Sequence, residues 1–202
     1  MLTARIAVIA SGGGTNLQAL IDSQAGGGLK SGTIALVIAD KAGIGAVGRA
    51  EAAGIDCAVI VRREPGFEEK VLSALTEHKI DMIILAGFLG ILSADFIGRF
   101  PGPVINIHPS LIPSFCGAGF YGLKVHEEAL RRGVKVTGAT VHYASEVVDG
   151  GQIILQKAVD VLPGDTAEVL QRRVMEQAEW VLLPQAAEIV AAQIVREKES
   201  NE

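Results

Sequence analysis

Two polar side chains able to assist an acyl transfer stand two positions apart, Asn106 and His108, in the segment Asn-Ile-His-Pro. The apolar run 103–105 before them predicts a buried strand that ends at Pro109, because proline has no N–H for a neighbouring strand. Side chains at i and i+2 of a strand face one side. An amide can donate to a developing oxyanion, and an imidazole can move protons near neutral pH. The pair is therefore a catalytic candidate. A purely structural role also explains the same residues: a strand end where the Asn forms a turn and the His is hydrogen-bonded within the protein.

The elements that would position this pair alternate between strand and helix. Apolar runs predict strands at 5–10, 33–40, 56–61, 81–86 and 103–108. Amphipathic patterns between them predict helices at 17–22, 45–53, 67–78 and 93–100. This alternation predicts an α/β fold, with an open, mostly parallel twisted sheet and helices on both faces. Residues 1–110 are predicted to form a Rossmann-like nucleotide-fold half.

The second half, 111–202, has a different pattern. A helix at 123–132 precedes two predicted strands, 135–144 and 152–161, whose short connection makes the sheet mixed at its C-terminal edge. Asp165 with Glu168 resembles a capping box for a last helix that reaches the 190s and bends or breaks at Pro184, followed by a frayed tail. No linker or repeat interrupts the pattern, so we expect a single domain over 1–202.

Composition limits the function classes. The 202 residues are 49% hydrophobic and 20% charged, with a net charge of −5, which argues against a general nucleic-acid binder. The two cysteines, Cys57 and Cys116, show no metal-ligand spacing. The N-terminus shows no signal-peptide pattern, and no apolar run has the length of a membrane span. We therefore expect a cytoplasmic monomer or homodimer with small-molecule substrates and no metal, nucleic-acid or membrane partner.

A glycine-rich loop follows the first strand and leads into a helix. Gly14, Thr15 and Asn16 stand where backbone N–H groups and a helix N-terminus could bind an anion. The loop lacks both the Walker ending and a complete GxGxxG, so a tight turn without a ligand also explains it. Asp40 ends the second strand and leaves a nicotinamide-dependent dehydrogenase open as an alternative. A non-catalytic nucleotide-binding module is the other alternative.

Three segments together, 106–113, 138–143 and 149–154, resemble the folate-dependent formyltransferases, and the resemblance extends from Gly12 to about Pro184. It implies that the formyl group of 10-formyltetrahydrofolate passes to the amine of a substrate. The amine itself is the nucleophile, so no Ser or Cys nucleophile is required. The resemblance assigns catalysis to Asn106, His108 and Asp149. An Asp149 carboxylate near His108 would raise the pKa of the imidazole, whereas an Asp before two glycines also suits a simple turn.

The resemblance also assigns binding residues. Gly14, Thr15 and Asn16 would bind the phosphate of 5'-phosphoribosylglycinamide, a purine precursor, and Glu179 its sugar. The glycine loop, the early first strand and the lack of room for a tRNA-binding domain favour this substrate. The folate is assigned to Leu89, Gly90, Ile91, Leu92, Asn106 and Val148, and its glutamate to Arg62 or Arg63. Thr140 and His142 share a strand face and either support the catalytic residues from behind or simply pack. The loop 115–122 is longer than in many members and has no assigned role.

Overall fold

One seven-stranded sheet, in the order β3-β2-β1-β4-β5-β6-β7, spans both halves of the computed structural model, which describes residues 2–200. The strands are β1 (Ala4–Ala10), β2 (Gly32–Ala39), β3 (Cys57–Val59), β4 (Met82–Leu85), β5 (Val104–His108), β6 (Val136–Tyr143) and β7 (Ile153–Asp160). The first five strands are parallel to one another, and β6 pairs antiparallel with both β5 and β7. The predicted fold class, with a sheet that becomes mixed at its C-terminal edge, is confirmed.

Seven α-helices cover the two faces of this sheet. They are α1 (Thr15–Ala25), α2 (Gly45–Ala52), α3 (Phe67–Glu77), α4 (Ala94–Arg99), α5 (Leu123–Arg132), α6 (Ala167–Val174) and α7 (Trp180–Ser200). Alternate residues of β1 point to opposite faces, so Ile6 and Val8 join the core beneath α1, α2 and α7, while Ala7 and Ile9 join the core beneath α3 and α4. A strand covered on both sides must be apolar throughout, which explains the unbroken apolar runs in the sequence.

Three element boundaries differ from the sequence predictions. β3 has only three residues, although the Ile60 and Arg62 N–H groups still donate to the Ala39 and Asp40 carbonyls at the end of β2. Thr166, not Asp165, caps α6 by accepting from the Val169 N–H, while the Asp165 carboxylate accepts from Leu162 N–H and from Arg173. The last helix continues to Ser200 instead of fraying at residue 196.

The end of the chain forms a continuous helical segment, Ala167–Ser200, in which a π-helical turn (Met175–Glu179) joins α6 to α7 and Pro184 lies within α7. By length and composition alone this segment is long and apolar enough to cross a membrane, contrary to the expectation that no run would be. Half of its most apolar window is buried, and Leu183, Ala187 and Val190 pack in the core beneath α1. Packing against the sheet therefore accounts for its apolar character.

The sheet order creates a crevice at the carboxyl ends of β1 and β4. The chain leaves β1 toward β2 on one side and leaves β4 toward β5 on the other, and ligands of open α/β sheets bind at such a point of reversal. The glycine loop follows β1, the segment 87–92 follows β4, and β5 ends with Asn106 and His108. The topology therefore brings the main candidate segments to one place.

The fully buried His126 on α5 makes stability depend on pH. Neither ring nitrogen has a hydrogen-bond partner among residues 2–200, and burial, followed by the nearby His108, lowers its pKa to about 4. The unfolded chain, with an ordinary histidine pKa, binds this proton first as the pH falls. Stability from His126 is therefore complete above about pH 6.5 and declines toward pH 4, by about 1.4 kcal/mol per pH unit.

We predict that His126→Leu flattens this decline and leaves stability at pH 7.5 nearly unchanged, because leucine fills similar space without a proton to bind. Urea denaturation at several pH values between 4 and 7.5 measures the effect. His78→Leu is the matched control, since His78 is a partly exposed helix-end histidine. A His126→Leu protein that keeps the full wild-type decline would assign the pH dependence to other groups.

Candidate active site

The main cleft has a volume of about 420 Å³ and lies over the carboxyl ends of β1, β4 and β5. Asn106 and His108 reach it from β5, and Asp149 reaches it from the loop between β6 and β7. Asp149 has a left-handed backbone, φ 55°, a conformation that Asp tolerates better than most residues. The structure therefore brings the three predicted catalytic side chains together.

The His108 side chain is almost completely buried and contacts two acceptors. Its Nε2 lies 2.9 Å from the Phe115 carbonyl oxygen, and its Nδ1 lies 3.5 Å from Asp149 Oδ2. A carbonyl oxygen only accepts, so Nε2 carries a proton and donates to Phe115. Nδ1 then faces the carboxylate, an arrangement that becomes favourable when the ring is an imidazolium.

His142 holds the Asn106 amide from the neighbouring strand. The β5–β6 register places these residues opposite each other, with Asn106 Nδ2 3.1 Å from His142 Nε2. His142 Nδ1 lies 2.9 Å from the Tyr143 carbonyl oxygen and therefore donates to it, which leaves Nε2 to accept from Asn106. His142 Nε2 also lies 3.6 Å from Asp149 Oδ1. His142 was expected either to support the predicted catalytic residues or simply to pack in the core, and this geometry favours the first interpretation.

The Asp149 carboxylate accepts a backbone hydrogen bond and faces two imidazole rings. Its Oδ2 accepts from the Gly117 N–H at 2.8 Å, and its two oxygens face His108 and His142. Burial alone would raise the pKa of this carboxyl. The contact with His142, the charge of His108 and the Gly117 hydrogen bond outweigh burial, so the pKa lies below its ordinary value. Asp149 is therefore an anion in the cleft at neutral pH.

The pKa of His108 lies below its ordinary value, in contrast to the expectation from sequence. Burial lowers it most, while the Asp149 charge and the Phe115 carbonyl raise it and His142 lowers it slightly further. The sign of the Asp149 effect was predicted correctly, but burial is larger. His108 is consequently neutral near pH 7 in the protein without substrates.

The glycine loop and the C-terminal helical segment meet at the start of α1. Thr15 and Asn16 line the cleft, and Asn16 Nδ2 donates to Glu179 Oε2 at 2.7 Å. Burial raises the pKa of the Glu179 carboxyl, and the Asn16 hydrogen bond opposes this shift. Gly14 does not line the cleft. It takes φ 73° at the N-cap of α1, where an added Cβ would lie 2.8 Å from the Ala46 Cα, so glycine is required by packing.

Loop segments form the apolar end of the cleft. Leu89, Gly90 and Ile91 line it together with Val148, and Leu89 and Ile91 are 52% and 72% exposed, as rim residues open to a ligand. A side cavity of about 70 Å³ extends from this end and is lined by Gly90, Ile91, Leu92, Val148 and Asp149, among others. The predicted folate segments 89–92 and 148 therefore adjoin the catalytic side chains.

Arg62 and Arg63 do not line the main cleft. They line a separate cavity of about 320 Å³ that Leu89 also borders. Arg62 Nε lies 3.3 Å from the buried Asp40 Oδ2, which also accepts from Ser11 Oγ at 2.7 Å. Arg63 is exposed. The Arg62 side chain therefore forms an ion pair with Asp40 at the end of β2.

Several residues that build the cleft were not identified from the sequence. The loop 115–122, which had no assigned role, supplies the Phe115 carbonyl to His108 and the Gly117 N–H to Asp149. Gln171 and Met175 line the cleft on the same helical face as Glu179. The spacing of four residues from one to the next is the sequence pattern that could have indicated this shared face. Thr140 lies on β6 opposite His108, and its hydroxyl bonds to the backbone after β5: it donates to the Ser110 carbonyl and accepts from the Ile112 N–H.

A metal site is not evident in the described part of the chain. Among residues 2–200 no group of three or more His, Cys, Asp or Glu side chains is arranged to hold a metal ion. The structure instead brings together the Asp149 carboxylate, the His108 and His142 imidazoles and the Asn106 amide. Such a set can stabilise an oxyanion and carry a proton between two substrate atoms.

The fold and this cleft define a class: the chain belongs to the formyl transferase family, whose model matches residues 4–186. The phosphoribosylglycinamide formyltransferase of Haemophilus influenzae is 38% identical over 184 residues, covering 89% of this chain and 84% of that protein. Glycinamide ribonucleotide transformylase 1 from Symbiobacterium toebii, a solved structure, is similar with a TM-score of 0.87 and 38% identity, covering 95% of this chain and 89% of that one.

A longer relative is also similar. The trifunctional purine biosynthetic protein adenosine-3 of Homo sapiens is 45% identical over 197 residues. The match covers 96% of this chain but 19% of that protein, so the chain spans about a fifth of the length of that trifunctional relative.

We predict that Asp149→Asn lowers the pKa of His108 further, because the lost negative charge had favoured the imidazolium against burial. Asparagine keeps the size and tolerates the left-handed backbone. NMR titration of the His108 ring should give a wild-type pKa below about 6.5 and a lower value in the variant. Glu146→Gln, in the same loop but exposed, is the control. An equal or higher His108 pKa in Asp149→Asn would refute the electrostatic link.

Proposed function

We propose that the chain transfers the formyl group of 10-formyltetrahydrofolate to the amine of 5'-phosphoribosylglycinamide, a step of purine biosynthesis. The single observation that carries this proposal is the convergence of Asn106, His108 and Asp149 in one cleft between a glycine loop and an apolar loop. Family membership and the similarity to phosphoribosylglycinamide formyltransferases support the same reaction. The dehydrogenase alternative has less support, since the family model and the relatives are formyltransferases.

The proposed reaction needs an oxyanion donor and a proton carrier. The substrate amine attacks the formyl carbon, and the carbonyl oxygen becomes an oxyanion while the nitrogen becomes a cation. The Asn106 amide, held by His142, donates to that oxygen. Neutral His108 accepts the proton from the cationic nitrogen, and the Asp149 carboxylate stabilises the resulting imidazolium. The proton then passes to N10 of the folate as the C–N10 bond breaks.

The two ends of the cleft fit the two substrates. At the glycine-loop end, the N–H groups around Gly14, Thr15 and Asn16 bind the phosphate, and Glu179 accepts from the sugar hydroxyls. At the other end, Leu89, Gly90, Ile91 and Leu92 with Val148 hold the flat pteridine, and its glutamate extends toward Arg62 and Arg63. Binding both substrates in one cleft removes much of the entropic cost of their encounter.

We extend the proposal to the protein as a whole. Residues 1–202 act as one formyltransferase domain, with 10-formyltetrahydrofolate as co-substrate and without a metal. Its partners are small molecules, with no nucleic acid or membrane involved, and it acts in the cytoplasm as a monomer or homodimer. Size-exclusion chromatography with light scattering decides between the two oligomeric states.

The direct test mixes the protein with 10-formyl-5,8-dideazafolate and glycinamide ribonucleotide and follows loss of the formyl group from the folate. We predict turnover by the wild type and a kcat lower by about 10²–10³-fold for Asn106→Ala, the usual cost of one oxyanion donor. Gln193→Ala, on the exposed face of α7 outside the cleft, is the control for a lost amide. No turnover by the folded wild type would refute the proposed function, and an unchanged kcat for Asn106→Ala would refute the role of Asn106.

We predict that Arg63→Ala raises the KM for the folate by at most about fivefold and leaves kcat unchanged, because exposed charge contacts contribute about 0–1 kcal/mol. Arg62→Ala should in addition lower the melting temperature, since the buried Asp40 loses its cation. Steady-state kinetics with thermal melts separates the two effects. If neither variant, nor the double variant, changes the folate KM, the glutamate does not reach these arginines.

A further inference from the structure

The carbonyl groups of the glycine loop are bonded on the side away from the cleft. The Gly12 carbonyl accepts from the Ala46 N–H at 3.2 Å, and the Gly13 carbonyl accepts from Arg49 Nε at 2.9 Å. In a trans peptide the C=O of one residue and the N–H of the next point in opposite directions. Fixing these two carbonyls toward α2 therefore directs the N–H groups of Gly13 and Gly14 away from α2.

These two N–H groups have no protein acceptor among residues 2–200. Gly14 is left-handed, and successive N–H groups around such a residue form an anion-binding concavity. The next residue, Thr15, begins α1 and lines both the main cleft and a second cavity of about 560 Å³ that Arg49 also lines. The residue that follows these two donors therefore borders both cavities, although Gly13 and Gly14 themselves line neither.

The Arg49 guanidinium is held in a fixed position. Its Nη1 donates to Gln18 Oε1 at 2.8 Å, and Gln18 Nε2 donates to Asp22 Oδ1 at 2.8 Å. The side chain is half-buried, and its contacts with α1 restrict its rotation. One cation thus connects α2 to the glycine loop and to the second turn of α1.

The other side of the same helix start is acidic. Asn16 Nδ2 donates to the buried Glu179, so a doubly charged phosphate bound here would approach a carboxyl group. A positive charge fixed behind the loop offsets that repulsion. Its hydrogen bond to a carbonyl also polarises the adjoining peptide N–H, which makes that N–H a better donor to an anion.

We propose that Arg49 is a positioning residue for the phosphate of the amine substrate. It acts through the Gly13 carbonyl, which it holds so that the Gly14 N–H is presented to the phosphate, and it adds positive charge behind the loop. The inference rests on the proposed function in naming whose phosphate is bound. The predicted consequence is an effect on phosphate recognition that leaves the chemical step and the folate unaffected.

The test compares Arg49→Met, which keeps apolar bulk, with Arg49→Lys, which keeps a charge and a donor. We expect Arg49→Met to raise the KM for glycinamide ribonucleotide about tenfold, the usual worth of a hydrogen bond to a charged group, and to leave kcat and the folate KM within twofold. Arg49→Lys should recover most of the affinity. Arg99→Met, the control, removes an arginine of α4 that pairs with Glu69 and Asp95 outside the cleft, and it should change nothing in the kinetics.

A binding measurement separates this inference from the proposed function. In ¹⁵N-resolved NMR spectra, ribose 5-phosphate should shift the Gly14 N–H of the wild type and of Arg49→Lys, and far less in Arg49→Met. Ribose without phosphate should leave that signal unmoved in all three proteins. This readout does not require formyl transfer, so it stands even if the wild type fails to formylate glycinamide ribonucleotide.

Two results would overturn the inference. One is an Arg49→Met protein, folded by thermal melt, that binds ribose 5-phosphate as the wild type does. The other is a loss of kcat equal to the loss of affinity, which would indicate general damage to the loop. If Arg49→Met does not fold, Gln18→Leu takes its place, because it frees the guanidinium without removing it and should weaken phosphate binding in the same direction.

Discussion

The interaction on which the site depends is the contact of one carboxylate with two buried imidazoles. Asp149 lies 3.5 Å from His108 and 3.6 Å from His142, and it accepts from the Gly117 N–H. Two imidazoles alone in an apolar cleft would resist protonation, because a buried charge without a partner is costly. The carboxylate makes a transient imidazolium possible there. It also connects β5, β6 and the loop after β5, so that their positions depend on one another.

The antiparallel strand β6 supplies the second layer of this arrangement. Its register places His142 opposite Asn106 and Thr140 opposite His108, so each residue at the end of β5 has a cross-strand neighbour. One neighbour orients the Asn106 amide, and the other fixes the chain after β5 through Ser110 and Ile112. The mixed edge of the sheet thus has a direct consequence for the site.

The order of elements and the meeting of their ends could be read from the sequence, because strands covered on both faces are uniformly apolar and their carboxyl ends share one edge. The pairing of His142 with Asn106 could not, since strand register depends on contacts far apart in the chain. The direction of the pKa shift of His108 could not be predicted from the sequence either. The effect of the Asp149 charge could be inferred, but burial depends on how the loop 115–122 folds over the ring. Arg62 looked like a ligand residue at a strand end, yet the buried Asp40 competes for it.

Burial lowers the pKa of His108 and the Asp149 charge raises it. The loop 115–122 contributes to both effects. Its backbone contacts the ring at Phe115 and the carboxylate at Gly117, so the loop covers the histidine and orients its counter-ion together. Substrates that fill the cleft expel water, which strengthens the attraction between Asp149 and a protonated His108. The same burial that keeps His108 neutral before substrates bind therefore increases the stabilisation available once it accepts a proton. In the proposed reaction, a histidine that is neutral before substrates bind and has a carboxylate beside it can receive a proton from the attacking amine and release it to the leaving nitrogen.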